Sequence, residues 1–274
     1  MKNIFLLIAV IFVFASCKKN HDVATTTTPP HAYDADAQKF FDSSAISDTS
    51  QRSAINDFVK ELKDSSLWTK FMAIYPMLGG SANTNKWNLK DPRNSDDAYR
   101  LTFTGTPTFS GSGVLFSTPN DFADTHLYDS LLVYNDNSIS YFSKTENTIN
   151  GYDMGCSDNV SPYNEFGIYQ SMDATNWFGY YEFGTVPLST KGLFMISVTV
   201  NDIKRFDNGI MTMSKGSSPV NSFTGMPILI GTVSGATTVG QRECVLATIG
   251  KGLSDVEAQS FYNIANNFEV KLNR

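Results

Sequence analysis

LFMISVTVNDIKRFDNGIMTMS, residues 193–214, decides the fold. Phe194, Ile196, Val198 and Val200 share one face of an extended chain, while Ser197 and Thr199 share the other. That period of two is the signature of a strand with one buried face. Two shorter runs follow, at 203–206 and 210–214, and Asn208-Gly209 between them supplies two residues that accept positive φ. Such a pair specifies a tight hairpin. Outward from this stretch the pattern repeats, with further candidate strands at 99–104, 113–117, 138–144, 152–156, 165–170, 177–183, 227–232 and 243–249. Asn/Asp/Gly breaks such as Asn135-Asp136-Asn137 and Asn150-Gly151 separate them. Many short strands without alternating helices predict a mainly β fold, an antiparallel sandwich or barrel.

Helical spacing is confined to the two ends of the folded body. Asp48 is placed to cap a helix with Gln51 at its third position, and Ile55, Phe58, Val59 and Leu62 form one apolar face. A second short helix is expected to hold Leu67, Trp68, Phe71, Met72 and Tyr75, stopped by Pro76 and Gly79-Gly80. Its Trp and Met stripe is expected to pack on the core rather than line a cofactor groove. At the other end Ser254-Asp255-Val256-Glu257 forms a capping box, followed by an apolar stripe of Ala258, Phe261, Tyr262, Ala265 and Phe268.

The chain begins Met1-Lys2-Asn3, runs through eleven apolar residues from Ile4 to Phe14, and reaches Ala15-Ser16-Cys17. A cationic start, a short apolar stretch and small residues make a secretory signal, and the run is too short for a spanning helix of roughly 20 residues. Ending on a cysteine, with Lys18-Lys19 and a Thr/Pro tract behind it, this segment resembles a bacterial lipoprotein signal. The resemblance implies that residues 1–16 are removed and that Cys17 carries the lipid. Residues 17–32 then read as a flexible tether, 33–80 as a helical segment packed on the sandwich, and 81–274 as the sandwich with its C-terminal helix. The location implied is the cell envelope, with lipid anchoring to the outer membrane.

Charge narrows the partners. The full chain carries −6, and removing residues 1–16 takes away one base (Lys2) and no acid, leaving −7. A nucleic-acid binder needs a clustered basic patch, so no nucleic-acid partner is expected. With Cys17 assigned to lipid, Cys156 and Cys244 remain. They read as small buried apolar side chains, with a disulfide between them as the alternative in an oxidising compartment.

A second resemblance rests on LWTK (67–70), IYPMLGG (74–80), KWNLKDP (86–92), RLTF (100–103), DFADT (121–125), PILIG (227–231) and ATIGKGLSDVEA (247–258). Together these are similar to concanavalin A-like (laminin-G-like) jelly-roll domains of bacteriophage virion proteins and of Bacteroidota surface proteins. The resemblance spans about residues 48–274 and implies two antiparallel sheets face to face, one often concave and used for glycans. Fold alone does not give function.

Candidate chemistry is sparse. Glucanases of this fold carry Glu-x-Asp-x-x-Glu on one strand, which brings acid and nucleophile to about 5–5.5 Å. No expected strand here has that spacing. His126 is the one histidine of the folded body, and no Gly-x-Ser-x-Gly elbow occurs. Gly250-Lys251-Gly252 lacks the third glycine of a dinucleotide loop, with Asp255 in its place. No catalytic residue and no enzyme activity are therefore expected. Asp121, Asp124 and Asp129 fall in one expected loop and are the only candidate calcium ligands; ordinary solvated carboxylates are the competing reading. No other cofactor is expected. Trp177, Tyr180 and Tyr181, in an aromatic run with Phe178, are the candidate ligand-binding residues. On one strand, alternate rings would face opposite sides, one side offering a platform on which sugar rings stack. The expected role is glycan binding by an anchored envelope protein. The alternative is a structural or adhesive protein that meets another envelope protein, and a glycoside hydrolase stands third.

Overall fold

The computed structural model describes residues 32–158, 165–170, 189–216 and 225–274, with 176–178 and 181–183 as backbone only. The chain divides into Met1–Ala32 and a compact unit, Tyr33–Arg274, and the fold is that of the second unit. Among the described residues the elements in chain order are α1 (Ala35–Ser44), α2 (Thr49–Asp64), β1 (Phe71–Pro76), α3 (Ala82–Asn85), β2 (Thr102–Thr104), β3 (Thr108–Phe109), β4 (Val114–Leu115), β5 (Phe122–Tyr128), β6 (Asn137–Ser143), β7 (Gly151–Ser157) and β8 (Glu165–Gln170). They continue with β9 (Asn176–Phe178), β10 (Tyr181–Phe183), β11 (Gly192–Thr199), β12 (Asp202–Asp207), β13 (Ile210–Gly216), β14 (Pro227–Ile230), β15 (Glu243–Gly250) and α4 (Asp255–Lys271).

Two antiparallel sheets result. The larger runs β13-β12-β11-β6-β15-β4-β3, with β1 added beside β15, and the smaller runs β10-β9-β8-β7-β14-β5-β2. The expected β-sandwich is the observed fold. It has a third layer, because the larger sheet is buried on both faces. Along β11, Phe194, Ile196 and Val198 enter the core between the sheets, whereas Leu193 and Met195 join the helices on the outer side. Val200 does not continue the inward face; it lies beyond the strand and is 64% exposed.

The helical layer is α1, α2 and α4. Ser254 caps α4 as the sequence implies, accepting from the Glu257 N–H, and the Glu257 side chain returns a bond to the cap backbone. The α4 stripe packs down: Phe268 stacks on Phe58 of α2 at 4.6 Å and Phe261 meets Phe71 of β1 at 4.9 Å. The expected helix over residues 67–75 is corrected. Only Trp68–Lys70 makes a single 3-10 turn, and Phe71–Pro76 is a strand. β15 offers an open edge that pairs with β1 from Phe71↔Gly250 to Pro76↔Leu246, and the Asn88 side chain accepts from the Ile74 N–H. Sheet pairing overrides the helical spacing.

The start of α1 and the end of α2, away from the turn that joins the two helices, are stapled by charge. The Lys63 ammonium lies 2.6 Å from Asp34 and 2.7 Å from Asp36. The bond from Lys63 holds the Asp36 carboxyl below its usual 3.8 against the opposing effect of burial. A depressed carboxyl contributes stability above the unfolded value, and that contribution is lost as pH falls through the folded one. Asp36→Asn should therefore cost about 0.2–1 kcal/mol at neutral pH and nothing in strong acid. Urea unfolding at the two pH values checks this; an equal cost at both would contradict the assignment.

Candidate functional site

Of the expected ligand residues, Trp177 falls in β9 and Tyr181 in β10. Residues 177–183 are not one strand: β9 and β10 form an antiparallel pair, with Tyr181 opposite Phe178 and Glu182 opposite Trp177. The expected alternation of rings along a single strand is corrected accordingly. Tyr180 lies outside the described residues, as do the side chains of Trp177 and Tyr181.

The expected acidic loop is also redrawn. Asp124 lies within β5, with Asp121 just before it and Asp129 just after. Ala123, Thr125 and Leu127 of this strand point inward and are buried. Asp121 accepts from the Thr106 and Thr118 N–H groups, Asp124 from the His126 N–H, and Asp129 from the Gly225 N–H. Backbone donors thus hold the three carboxylates at separate points of the chain. Among the described residues no three His, Cys, Asp or Glu side chains gather as a metal site. Cys156 and Cys244 form no disulfide; both are buried, on opposite sheets and in the same intersheet core.

The outer face of the smaller sheet is covered at β7 and β8. Met154, Cys156, Phe166 and Ile168 all face the intersheet core, so Gly155 and Gly167 face outward. The stretch after β14 crosses them: a Cβ on Gly155 would lie 3.0 Å from the Val233 side chain, and Val233 is 2% exposed. That stretch is tied down by a backbone bond from the Gly240 N–H to the Tyr152 carbonyl. It is also held by the fully buried Arg242, 3.1 Å from the Asp153 carboxylate and 2.7 Å from the Ile149 carbonyl.

On the helical side a cleft of about 370 Å³ opens between α4 and the larger sheet. That size falls within the range of small-ligand pockets. On α4, Tyr262, Asn266 and Glu269 sit at i, i+4 and i+7, a stripe turned one position from the buried one, and line one wall. The ends of β6 and β11 give the opposite wall, with Ser143, Lys144, Lys191 and Gly192. Asn208 closes one end from the β12–β13 turn. It has φ 51° and Gly209 φ 76°, the left-handed pair that the sequence specifies. Glycine is needed here for a second reason, since a Cβ on Gly209 would lie 2.7 Å from that of Tyr262. The turn therefore seats directly against the helix.

The buried side of the cleft is a satisfied ion pair. Arg274 bonds Glu269 at 2.6 Å and donates to the carbonyls of Met77, Ser112 and Val245. Burial pushes the Glu269 carboxyl up, and Arg274 opposes it. Glu146 lies beside the rim and is committed to the 189–190 corner, accepting from Ser189 and from the Thr190 N–H; the Ser189 bond leads in holding its carboxyl low. Among the described residues Lys144 and Lys191 form no ion pair within 4 Å. The cleft thus offers an aromatic ring, an amide and two cations, while the Ser143 and Ser189 hydroxyls are bonded within the chain. Sequence reasoning missed it, although the α4 stripe was readable.

No family model matches the chain, and no curated protein matches it. Among solved structures it is similar to Trypanosoma rangeli sialidase in complex with the inhibitor DANA, with a TM-score of 0.52 and 8% identity over 77% of this chain and 38% of that one. It is similar to the same sialidase in complex with sialic acid, with a TM-score of 0.51 and 8% identity over 79% and 39%. Domain 4 of an extracellular arabinanase from Geobacillus stearothermophilus, in complex with arabinotriose, gives a TM-score of 0.48 and 16% identity over 70% and 98%. The chain spans about two fifths of the sialidases' length. One expectation is overturned here, that the chain is not an enzyme: enzymes share its fold. The physical reason is that paired carboxylates on a strand are one arrangement among several that cleave a glycosidic bond, so their absence decides nothing about activity. What the sialidase likenesses show is the sandwich fold.

Proposed function

We propose that this chain is a lipid-anchored protein of the cell envelope that binds glycan in the cleft between α4 and the larger sheet. The observation that carries the reading is the cleft's chemistry: Tyr262, Asn266 and the two lysines Lys144 and Lys191 line one space of about 370 Å³. Sugars present alternating C–H faces and hydroxyl edges, which call for a ring to stack on and donors and acceptors beside it. A fold shared with sialidases supports the ligand class coarsely.

The binding test is a glycan array probed with the full chain in detergent, followed by titration of the strongest hit. Tyr262→Ala should weaken that hit roughly 10-fold, the loss of one stacking surface. Silence across the array, with a stoichiometric envelope protein recovered instead, would transfer the reading to protein contact. Tyr128, Leu131 and Val133, exposed at 46, 53 and 56%, are the surface it would then concern.

Anchoring rests on the signal-like opening and on Cys17, which lie outside the described residues. Cys17→Ala should abolish incorporation of labelled fatty acid and leave the signal segment uncleaved. Unchanged labelling would rule the anchor out.

A further inference from the structure

We infer that the cleft selects a negatively charged saccharide, its anionic group held between Lys144 and Lys191. This rests on the glycan reading and names the class of sugar.

Strand register brings the two lysines together. β6 and β11 are antiparallel neighbours, with Leu193 opposite Phe142 and Gly192 opposite Ser143. Lys144 and Lys191 are the next residues beyond these paired strand ends, and both line the cleft. Like charges that share one cleft repel. Nearby carboxylates are committed elsewhere. Glu269 feels the Lys144 charge but is bonded to Arg274, and Glu146 is bonded to Ser189 and the Thr190 N–H. Yet the chain as a whole carries −6, so a local excess of positive charge runs against its composition. An anion between the two ammonium groups turns the repulsion into two charge-assisted hydrogen bonds. The Asn266 amide and the Tyr262 ring remain for the neutral part of the sugar. A hexuronate carboxylate and a sulfate ester both satisfy this chemistry, and the test separates them.

The experiment is calorimetric titration of the full chain in detergent with three probes of matched length: oligogalacturonate, a sulfated galactan fragment and a neutral galactan fragment. Binding of one or both charged probes, with the neutral one at least roughly 10-fold weaker, is the expected result; which charged probe wins identifies the source of the anion. Lys144→Gln and Lys191→Gln should each weaken the charged probe roughly 10-fold and leave the neutral one unchanged. Raising salt from low to about 0.5 M should weaken the charged probe in the wild type far more than in the double variant. Because the substitutions relieve repulsion, thermal unfolding of the double variant should begin no lower than that of the wild type. This separates lost recognition from lost folding. Equal or tighter binding of the neutral probe would overturn the anion assignment and leave the glycan reading standing. Silence with all three probes and across the array would overturn both.

Discussion

Replacing Arg242 with leucine should lower the unfolding free energy by about 3–5 kcal/mol, the cost of stripping the partner from a buried charge. Arg242 and Asp153 are 0% and 1% exposed, and Gln170 donates to the same carboxylate at 2.8 Å. Without the guanidinium, the Asp153 carboxylate keeps one amide bond in a space without water access. Burial already pushes the Asp153 carboxyl up, with Arg242 opposing it. Removing the arginine raises it further. A raised carboxyl makes the folded state best below the unfolded value and progressively worse as pH rises through the folded one. The variant should therefore lose most at neutral pH and recover toward acid. Asp153→Leu added to Arg242→Leu should restore much of the loss, because two apolar groups leave no unpaired charge. Urea unfolding of the three proteins against pH checks all of this. A single variant no less stable than the double would contradict the assignment.

Phe261→Ala should cost about 3–5 kcal/mol, as deletion of a buried aromatic ring leaves a cavity. The ring is fully buried, 4.9 Å from Phe71, and joins α4 to β1, the strand whose spacing reads as helical. The effect should reach the cleft, because Tyr262 is the next residue and Gly209 seats against it. Denaturation should show the loss, and glycan titration should show weakened binding although Phe261 does not line the cleft. Wild-type stability would contradict the docking of α4.

How far the sequence could be read follows from the range of each signal. β11, the Asn208-Gly209 hairpin and the Ser254 capping box are local, each contained in a few residues, and each is where it was expected. Residues 67–75 failed because short apolar runs satisfy helix and strand spacing alike, and the choice is made by β15 about 170 residues away. β5 was hidden because two of its three inward residues, Ala123 and Thr125, are small or polar, and because Asp121, Asp124 and Asp129 in and around it read as a loop. The cleft has the same character. Its helical wall is a legible i, i+4, i+7 stripe, but Lys144 and Lys191 stand 47 residues apart in the sequence and reach one cleft only through the pairing of β6 with β11.

Hydrogen–deuterium exchange of the full chain, with and without the strongest array ligand, reports which backbone a saccharide covers and so locates the site itself. Slowed exchange at 142–144, 191–192 and the Tyr262–Glu269 turns of α4, with the outer face of the smaller sheet unchanged, is the expected result. Protection confined to β7–β10, with α4 unaffected, would contradict a site in the cleft and return binding to the sheet face.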